Sequence, residues 1–597
     1  DGGTNGSQAI RSFSPRMRTA AAEARTVLMQ LGSEYLQVPV SQLEVKDGII
    51  IDIKNNKSKV SYGELTKGKR IEKHLDGKPE LKDYTKFKYV GKPYLHQDSR
   101  IKVTGEAKYS ADIQLPGLLH ARILRPPSHG AKFLTADISE AEKIKGIQVV
   151  RDGDMIAALS DNRDKVDQAI VKVKAEYSFN EIEVDDKTIF DRILKANSKA
   201  NEIRSNGDLE TGRKICDTIT ESEFYNSYVA HATIEPHAAT AMIEGDKITV
   251  WVSTQQPFPT QETIAREMNV PLEKVRIITP FVGGGFGGKS AHGQAVEAVK
   301  LAKITGKPVV VAWTRQEEFF YDTFRPAAVV KITSGVDKSG RIMLWDYHTY
   351  YAGARGADVI YDVPNAKTTN YSGGSVHPFG TGAWRAPGNN TNTFARESQI
   401  DIMASKAGKD PLEFRLMNLK DEKMIAVLKA AADKFGYTPA RSPSGRGYGV
   451  ACGTDVGTFV AHIAEVKVDK NTGHVQVIRV ACAQDMGLCV NPQGTTLQME
   501  GCITMGMGYA LTEEIQFQGG DIKNHSFDTY EIPRFSWVPK IDTVIMDRKD
   551  QAPQGGGEPT IICMGAVIAN AVFDATGARL YQLPVTPERL LAALKKG

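Results

Sequence analysis

The sequence predicts an α+β protein of several domains. Its 597 residues make three to five domains at about 100–200 residues each. Hydrophobic residues make up 41% and charged residues 24%, an ordinary globular balance that can bury full cores. Short β-branched runs and apolar segments at helical spacing follow one another along the chain, punctuated by Gly and Pro turns.

The elements follow in order. Within 9–32 a stretch rich in Ala, Leu and Arg favours helix, and Val38-Pro39 closes it. Gly48-Ile49-Ile50-Ile51-Asp52-Ile53 is a β-branched run and reads as a strand. Residues 64–95 are charged and poor in pattern, a connection between domains. A new unit begins near His96, with Pro116-Gly117 as a tight turn before the strand-like 118–125. Residues 160–205, polar and rich in Asn and Lys, read as a surface linker. From about residue 220, strands alternate with glycine-rich loops and helices. Phe394, Ile400, Met403 and Ala404 fall at helical spacing within 391–407. For the last helix, Thr586 suits the N-cap, Pro587 the first helical position and Glu588 the positive dipole end.

Composition excludes several classes. The net charge is +4 with no dominant basic block, so no nucleic-acid footprint is expected. The lysines of 43–74 are mixed with acids and read as a solvated surface. No apolar run is read as reaching the ~18 residues of a spanning helix, and no signal peptide is visible. The chain opens at Asp1 inside Gly2-Gly3-Thr4-Asn5-Gly6-Ser7, which reads as the interior of a domain with residues expected upstream. The six cysteines lack zinc or iron–sulfur spacing and read as buried thiols. His231, Glu235 and His237 suggest zinc at first sight.

One motif points elsewhere. Gly283–Ser290 satisfies G-x-x-x-x-G-K-S, after a strand-like 275–278 and before a helix-like 292–304. That is the setting of a phosphate-cradling loop, so a nucleotide triphosphatase is a competing reading. Against it, no strand ending in a magnesium-binding Asp stands out downstream, and Pro280 removes an amide donor just before the loop. The glycines in either case let a ligand approach the backbone closely.

Four further stretches join this loop in a shared order: Ser253-Thr254-Gln255-Gln256-Pro257; Gly382-Ala383-Trp384-Arg385-Ala386-Pro387-Gly388; Asn491-Pro492 leading to Gln498-Met499-Glu500-Gly501; and Gly555-Gly556-Gly557-Glu558-Pro559 before Ala566–Ala571. Together they resemble the large subunit of molybdenum hydroxylases, the xanthine dehydrogenase and aldehyde oxidase family. Residues 96–129 are similar to that family's α/β hammerhead domain. Residues 1–60 resemble a piece of the second cofactor-binding lobe placed ahead of the hammerhead, a permuted order similar to the isoquinoline 1-oxidoreductase β-subunit type. The implied layout is 1–95 as that piece, 96–205 hammerhead and linker, 206–440 first molybdenum-cofactor-binding lobe and 441–597 second.

The resemblance implies a molybdopterin cofactor, in bacteria the cytosine dinucleotide form, with molybdenum held by the pterin and not directly by side chains. It makes Glu558 the catalytic base, a carboxylate suited to proton transfer. Gln255 matches an uncharged amide donor beside the metal, and Gly285, Phe286 and Gly287 match contacts near it. Arg385, Ala386, Gln498, Gly557, Gly6 and Ser7 match cofactor contacts, and Trp384 the substrate side. At His231, Glu235 and His237 the resemblance, carried by motifs elsewhere in the chain, implies a strand-and-loop scaffold instead of zinc. It further implies hydroxylation of an aldehyde or N-heteroaromatic carbon with water as oxygen source, electron transfer to a separate [2Fe-2S] subunit, a cytochrome acceptor beyond it and a periplasmic location. A non-catalytic scaffold homologue is the other alternative. Purine-oxidising relatives place Glu directly after the loop lysine, where this chain has Ser290, and no Arg is matched just before Tyr361–Asn365, Arg355 reading as a different setting. Xanthine is therefore not expected.

Overall fold

The first predicted helix spans Ser14–Leu36, entered through a π-turn at Ala9–Phe13 and ended by Gln37 in the left-handed region. This is a computed structural model describing residues 2–73, 78–179, 182–196, 198–439 and 444–596. The helix packs on a three-stranded antiparallel sheet, Leu43–Lys46, Ile49–Asp52 and Lys59–Ser61. Ile50, Val60, Leu65 and Met29 close that small core. The described part of 64–95 holds only short helical turns.

A seven-stranded mixed sheet runs in the order Val275–Ile278, Lys247–Val252, Ala238–Glu244, Val309–Ala312, Leu119–Ile123, Met155–Ser160, Gln148–Asp152. It joins the stretch expected as hammerhead to the stretch expected as first lobe. Helices Pro257–Met268 and Gly293–Thr305 cover it through Ile264, Ala298 and Val299.

The linker expected at 160–205 is corrected. It carries helix Arg163–Ile170, strand Lys174–Ser178, helix Ile189–Lys195 and most of strand Lys199–Asn206, with 180, 181 and 197 outside the described residues. Lys199–Asn206 is an edge strand whose side chains are mostly exposed. Its polarity therefore hides the strand, because one edge and one face meet water.

The edge strand borders a six-stranded sheet, ordered Gln582–Leu583, Thr218–Asn226, Ala328–Val336, Ile342–Tyr350, Asn365–Ser372, Lys199–Asn206. A four-stranded sheet of Arg446–Asp455, Thr458–Val468, Val475–Asp485 and Lys540–Ile545 forms the other large layer. Helix Asn389–Lys406 lies between them, every residue from Asn389 to Ala404 buried. The four predicted apolar positions are inside, and so are polar side chains that need partners. Glu397 accepts from Arg415 Nε and Tyr361 Oη, both at 3.0 Å.

Helix Met564–Thr576 crosses the four-stranded sheet closely, since a Cβ on Gly449 would lie 1.9 Å from Val567 O. The continuous stretch Pro559–Thr576 has 18 residues and is apolar enough to span a membrane. This corrects the expectation that no run reaches that length, and 83% of the stretch is buried in the core. The last helix, Pro587–Leu594, starts as predicted, with Thr586 capping Arg589 N. All six cysteines are unpaired, and Cys452, Cys482, Cys502 and Cys563 are buried.

Candidate functional site

Turns from distant parts of the chain and one helix converge on a cavity of about 750 Å³. Gly6 and Ser7, Gln255, Phe286 and Gly287, Trp384 and Arg385, and Gln498, Gly557 and Glu558 all line it. The sequence places these residues up to several hundred positions apart. Backbone and side-chain hydrogen bonds between these segments close the ring.

Gln255 is the hinge of the first side. Its amide N–H donates to Lys289 O at 2.8 Å, its Oε1 accepts from Gly287 N at 3.0 Å, and its Nε2 donates to Thr4 O at 2.8 Å. A carboxamide nitrogen has two N–H groups, so one remains for a ligand. Gly285 lies behind Gln255 and off the cavity wall, where a Cβ would come within 2.5 Å of Gln255 Oε1. Gly287 has φ +120°, and a Cβ there would lie 1.6 Å from Ala383 O. Only glycine fits. Phe286 also has positive φ, and its carbonyl accepts from Arg385 N at 2.9 Å.

Arg385 builds the second side. Its Nε and Nη2 donate to Gly557 O at 3.1 and 2.6 Å, and Nη2 also reaches Gln498 Oε1 at 2.8 Å. Gly557 N donates to Ser7 Oγ at 3.2 Å. The guanidinium thus sets the carbonyl directly before Glu558 and draws the helix Pro492–Leu511 to it. Glu558 heads the short 3-10 turn Pro559–Cys563, and its Oε2 accepts from Arg355 Nη2 at 2.8 Å.

Two expectations are corrected. The Trp384 indole is fully buried, edge-on to Tyr509, and its Nε1 donates to Ala230 O at 3.0 Å. The ring serves the core, so a substrate contact through it does not hold. Ala386 is buried behind the wall in the left-handed region and accepts from Asn389 N, starting the long helix.

The glycine-rich loop is not built for a nucleotide. Lys289 is fully buried, with its Nζ 2.6 Å from Glu235 Oε2. Burial lowers its proton affinity and Glu235 opposes the shift only in part. The loop runs into a 3-10 turn, Gly288–Ser290, and the helix begins only at Gly293. Neither the lysine nor the helix amides can cradle a triphosphate from this position. His231 and His237 are engaged by Asp322 and Glu318. Among the described residues no group of three or more His, Cys, Asp or Glu side chains is arranged to hold a metal ion.

Two family models, each described as a molybdopterin cofactor-binding domain, match residues 194–419 and 418–539, together more than half of the chain. The chain belongs to the molybdenum hydroxylase family as a large subunit. Among the relatives of this molybdenum hydroxylase chain, a nicotinate dehydrogenase subunit of Pseudomonas putida is 28% identical over 99% of the chain. The chain spans 54% of that relative's own length. The β-subunit of isoquinoline 1-oxidoreductase from Brevundimonas diminuta is 27% identical over 97% of the chain and 82% of its own. The solved quinoline 2-oxidoreductase of Pseudomonas putida 86 shares the fold, with a TM-score of 0.76 at 16% identity over 86% of the chain and 99% of its own.

Sequence reasoning about this molybdenum hydroxylase chain missed Arg355 and Asp455. In the linear chain Arg355 reads as a different setting, yet the fold carries it to Glu558. Its flanking glycines, Gly353 and Gly356, both at positive φ, are the available signal of a constrained turn. Asp455 ends a strand at a Val456-Gly457 turn, with nothing in the spacing to link it to Arg355. Asn5, which also lines the cavity, was passed over beside Gly6 and Ser7.

Proposed function

We propose that the chain is the substrate-oxidising subunit of a molybdenum hydroxylase acting on an aldehyde or N-heteroaromatic carbon. In the net reaction, R–CHO and water become R–COOH, or ring C–H and water become ring C–OH, with two electrons and two protons released. The observation that carries the reading is that Glu558 shares one cavity with the glycine turn at 286–287, the Gln255 amide and the Arg385 guanidinium.

The residues fit a pterin-held metal centre. Glycine at 287 bares backbone where a side chain would collide, and Gln255 offers an uncharged donor beside it. When bound, the molybdenum cofactor supplies the redox and oxygen-transfer chemistry. This chain's part is to bind, orient and move protons. Glu558 takes a proton at its carboxylate. Arg385 fixes the carbonyl of Gly557 and so the start of the Glu558 turn. Ser7 closes the cofactor side through its hydroxyl's bond to Gly557 N, with Gly6 beside it on the cavity wall.

The finer reading rests on the family resemblance. It takes the cofactor in its cytosine dinucleotide form, a small [2Fe-2S] subunit as first electron acceptor, a cytochrome beyond it and a periplasmic location. It also divides the chain into a lobe piece at 1–95, a hammerhead region at 96–205 and two cofactor lobes at 206–440 and 441–597. The test is element analysis of the purified protein, with turnover of benzaldehyde and isoquinoline to a dye acceptor. Molybdenum is expected, and Glu558→Gln is expected to keep the metal and lose on the order of 10²–10⁴ in kcat. Metal-free protein, or undiminished turnover in Glu558→Gln, would overturn the reading and favour a scaffold.

A further inference from the structure

We infer that Val456 is a specificity-determining residue, a partition that admits a compact substrate ring beside Glu558 and shuts off a second, apolar-walled cavity. The inference rests on the proposed function, in which an aldehyde or heteroaromatic carbon is oxidised beside Glu558.

The turn that carries Val456 is poorly suited to valine. Asp455 pairs with Thr458 across strands Arg446–Asp455 and Thr458–Val468, so Val456 and Gly457 alone make the connection. Both have positive φ, +44° and +82°. A two-residue hairpin turn of that kind favours Asn-Gly, Asp-Gly or Gly-Gly. A β-branched side chain at positive φ is an outlier, because its branches crowd the backbone. Such strain persists only where the surrounding structure holds it, and it collects at functional sites. The reason for valine therefore lies in what its side chain touches.

The turn is clamped to the segment that ends in Glu558. Val456 O accepts from Gly555 N at 3.3 Å, and Thr458 Oγ1 donates to Gly555 O at 2.5 Å. Gly555 presents bare backbone to the valine, since a Cβ there would lie 2.3 Å from Val456 Cγ2. A Cβ on Gly457 would lie 2.4 Å from Gln554 Oε1. The isopropyl group is thus held in one place relative to the 554–558 run.

That place is a boundary. The cavity at Glu558 and a second cavity of about 650 Å³ share two lining residues, Val456 and Arg355. Arg355 is hydrogen-bonded to both Asp455 and Glu558, so the partition stands beside the carboxylate. Val359, Ile360, Met424 and Phe459 give the second cavity its apolar wall, and Asp358 and Asp421 also line it. Such a wall takes an aromatic or aliphatic tail. The charged half of the partition is tied down by its ion pairs, and the valine is the apolar half. A smaller side chain at 456 would join the cavities, and a larger one would thicken the wall.

The experiment uses the purified holoenzyme with a dye acceptor, rates being normalised to molybdenum per chain. It compares kcat/KM for biphenyl-4-carbaldehyde with kcat/KM for benzaldehyde. In Val456→Gly this ratio is expected to rise at least about tenfold over wild type, the effect that a methylene or two carries in an apolar pocket. In Val456→Ile it is expected to fall. Val456→Asn, which suits the turn, is expected to unfold at a higher urea concentration than wild type. A ratio within about twofold of wild type in both the Gly and Ile variants overturns the inference. So does an Asn variant less stable than wild type, which would make valine the choice of the turn itself. Wild-type protein that oxidises neither aldehyde with molybdenum bound, or that keeps full turnover in Glu558→Gln, overturns the functional reading and the inference with it.

Discussion

His231 Nδ1 lies 2.7 Å from Asp322 Oδ2, with both side chains buried. The ring's other nitrogen, Nε2, faces Ala383 O at 2.8 Å. A carboxylate and a carbonyl can only accept, so both nitrogens donate and the ring is an imidazolium. His237 repeats the pattern, with Nδ1 on Glu318 at 3.0 Å and Nε2 on Gly288 O at 3.3 Å. The two histidines anchor the turns that carry Arg385 and Gly287, though neither touches the cavity.

The first prediction is a pH dependence of stability. Burial alone would lower the proton affinity of His231, but Asp322 and the Ala383 carbonyl outweigh it and hold it above the ordinary 6.5. A raised folded value contributes stability fully present below 6.5 and lost as pH rises through that higher value. Thermal unfolding of wild type is expected to weaken over this range, and His231→Gln to start less stable and weaken less. An equal slope in the two proteins counts against the imidazolium.

Gly287→Ala tests the wall of the site. The added methyl meets Ala383 O in a backbone conformation that side chains avoid, a strain of about 1–3 kcal/mol before any clash is counted. The loop is expected to shift while the sheets remain. Circular dichroism should be unchanged and molybdenum per chain should fall several-fold. Full metal content would place the cofactor elsewhere.

Lys289→Met separates a structural lysine from a phosphate-binding one. Removing the cation leaves Glu235 uncompensated beside the glycine turn, a loss of about 3–5 kcal/mol when such a pair is broken. Lys289→Met/Glu235→Gln is expected to regain most of it. Unfolding midpoints of the single and double variants read this directly. ATP binding that disappears with the lysine, at unchanged stability, would revive the nucleotide reading.

Glu513 supplies a second pH signature. It is buried, and desolvation raises its proton affinity to about 8, against the opposing Tyr530 hydrogen bond and the Arg325 charge. The unfolded chain ionises near 4.5, so the folded state holds a proton that the unfolded state has released. Stability therefore declines from pH 4.5 to about 8, by up to about 1.4 kcal/mol per pH unit. Glu513→Gln, neutral throughout, is expected to match wild type near pH 5 and exceed it at pH 8 in denaturant unfolding. No gain at pH 8 would mean that Glu513 is ionised in the fold.

Much of the cavity wall could be named from the chain alone because close backbone approach demands glycine. Gly287 and Gly557 announce themselves in runs of glycine, whereas Gln255 and Glu558 were singled out only through the motifs that carry the family resemblance. The terminal helix and the Asn389–Lys406 helix were legible for a similar reason, through capping residues and apolar spacing. Arg355 and Asp455 were not legible, because an ion pair 100 positions apart leaves no local pattern. Trp384 misled because an aromatic residue next to a site has the same sequence signature whether its ring faces a ligand or the core. The strand at 199–206 was hidden by its edge position.

Local chemistry in the linear chain was enough to specify many of the helices and strands and the glycine turns, since backbone strain and helix capping act over a few residues, while the acidic residue at 558 was singled out through the family resemblance. Which turns meet, which way the Trp384 ring points, and that Lys289 is sealed against Glu235 depended on packing. Those relations arise from burial and long-range hydrogen bonds, which come into being only when distant segments share one interior.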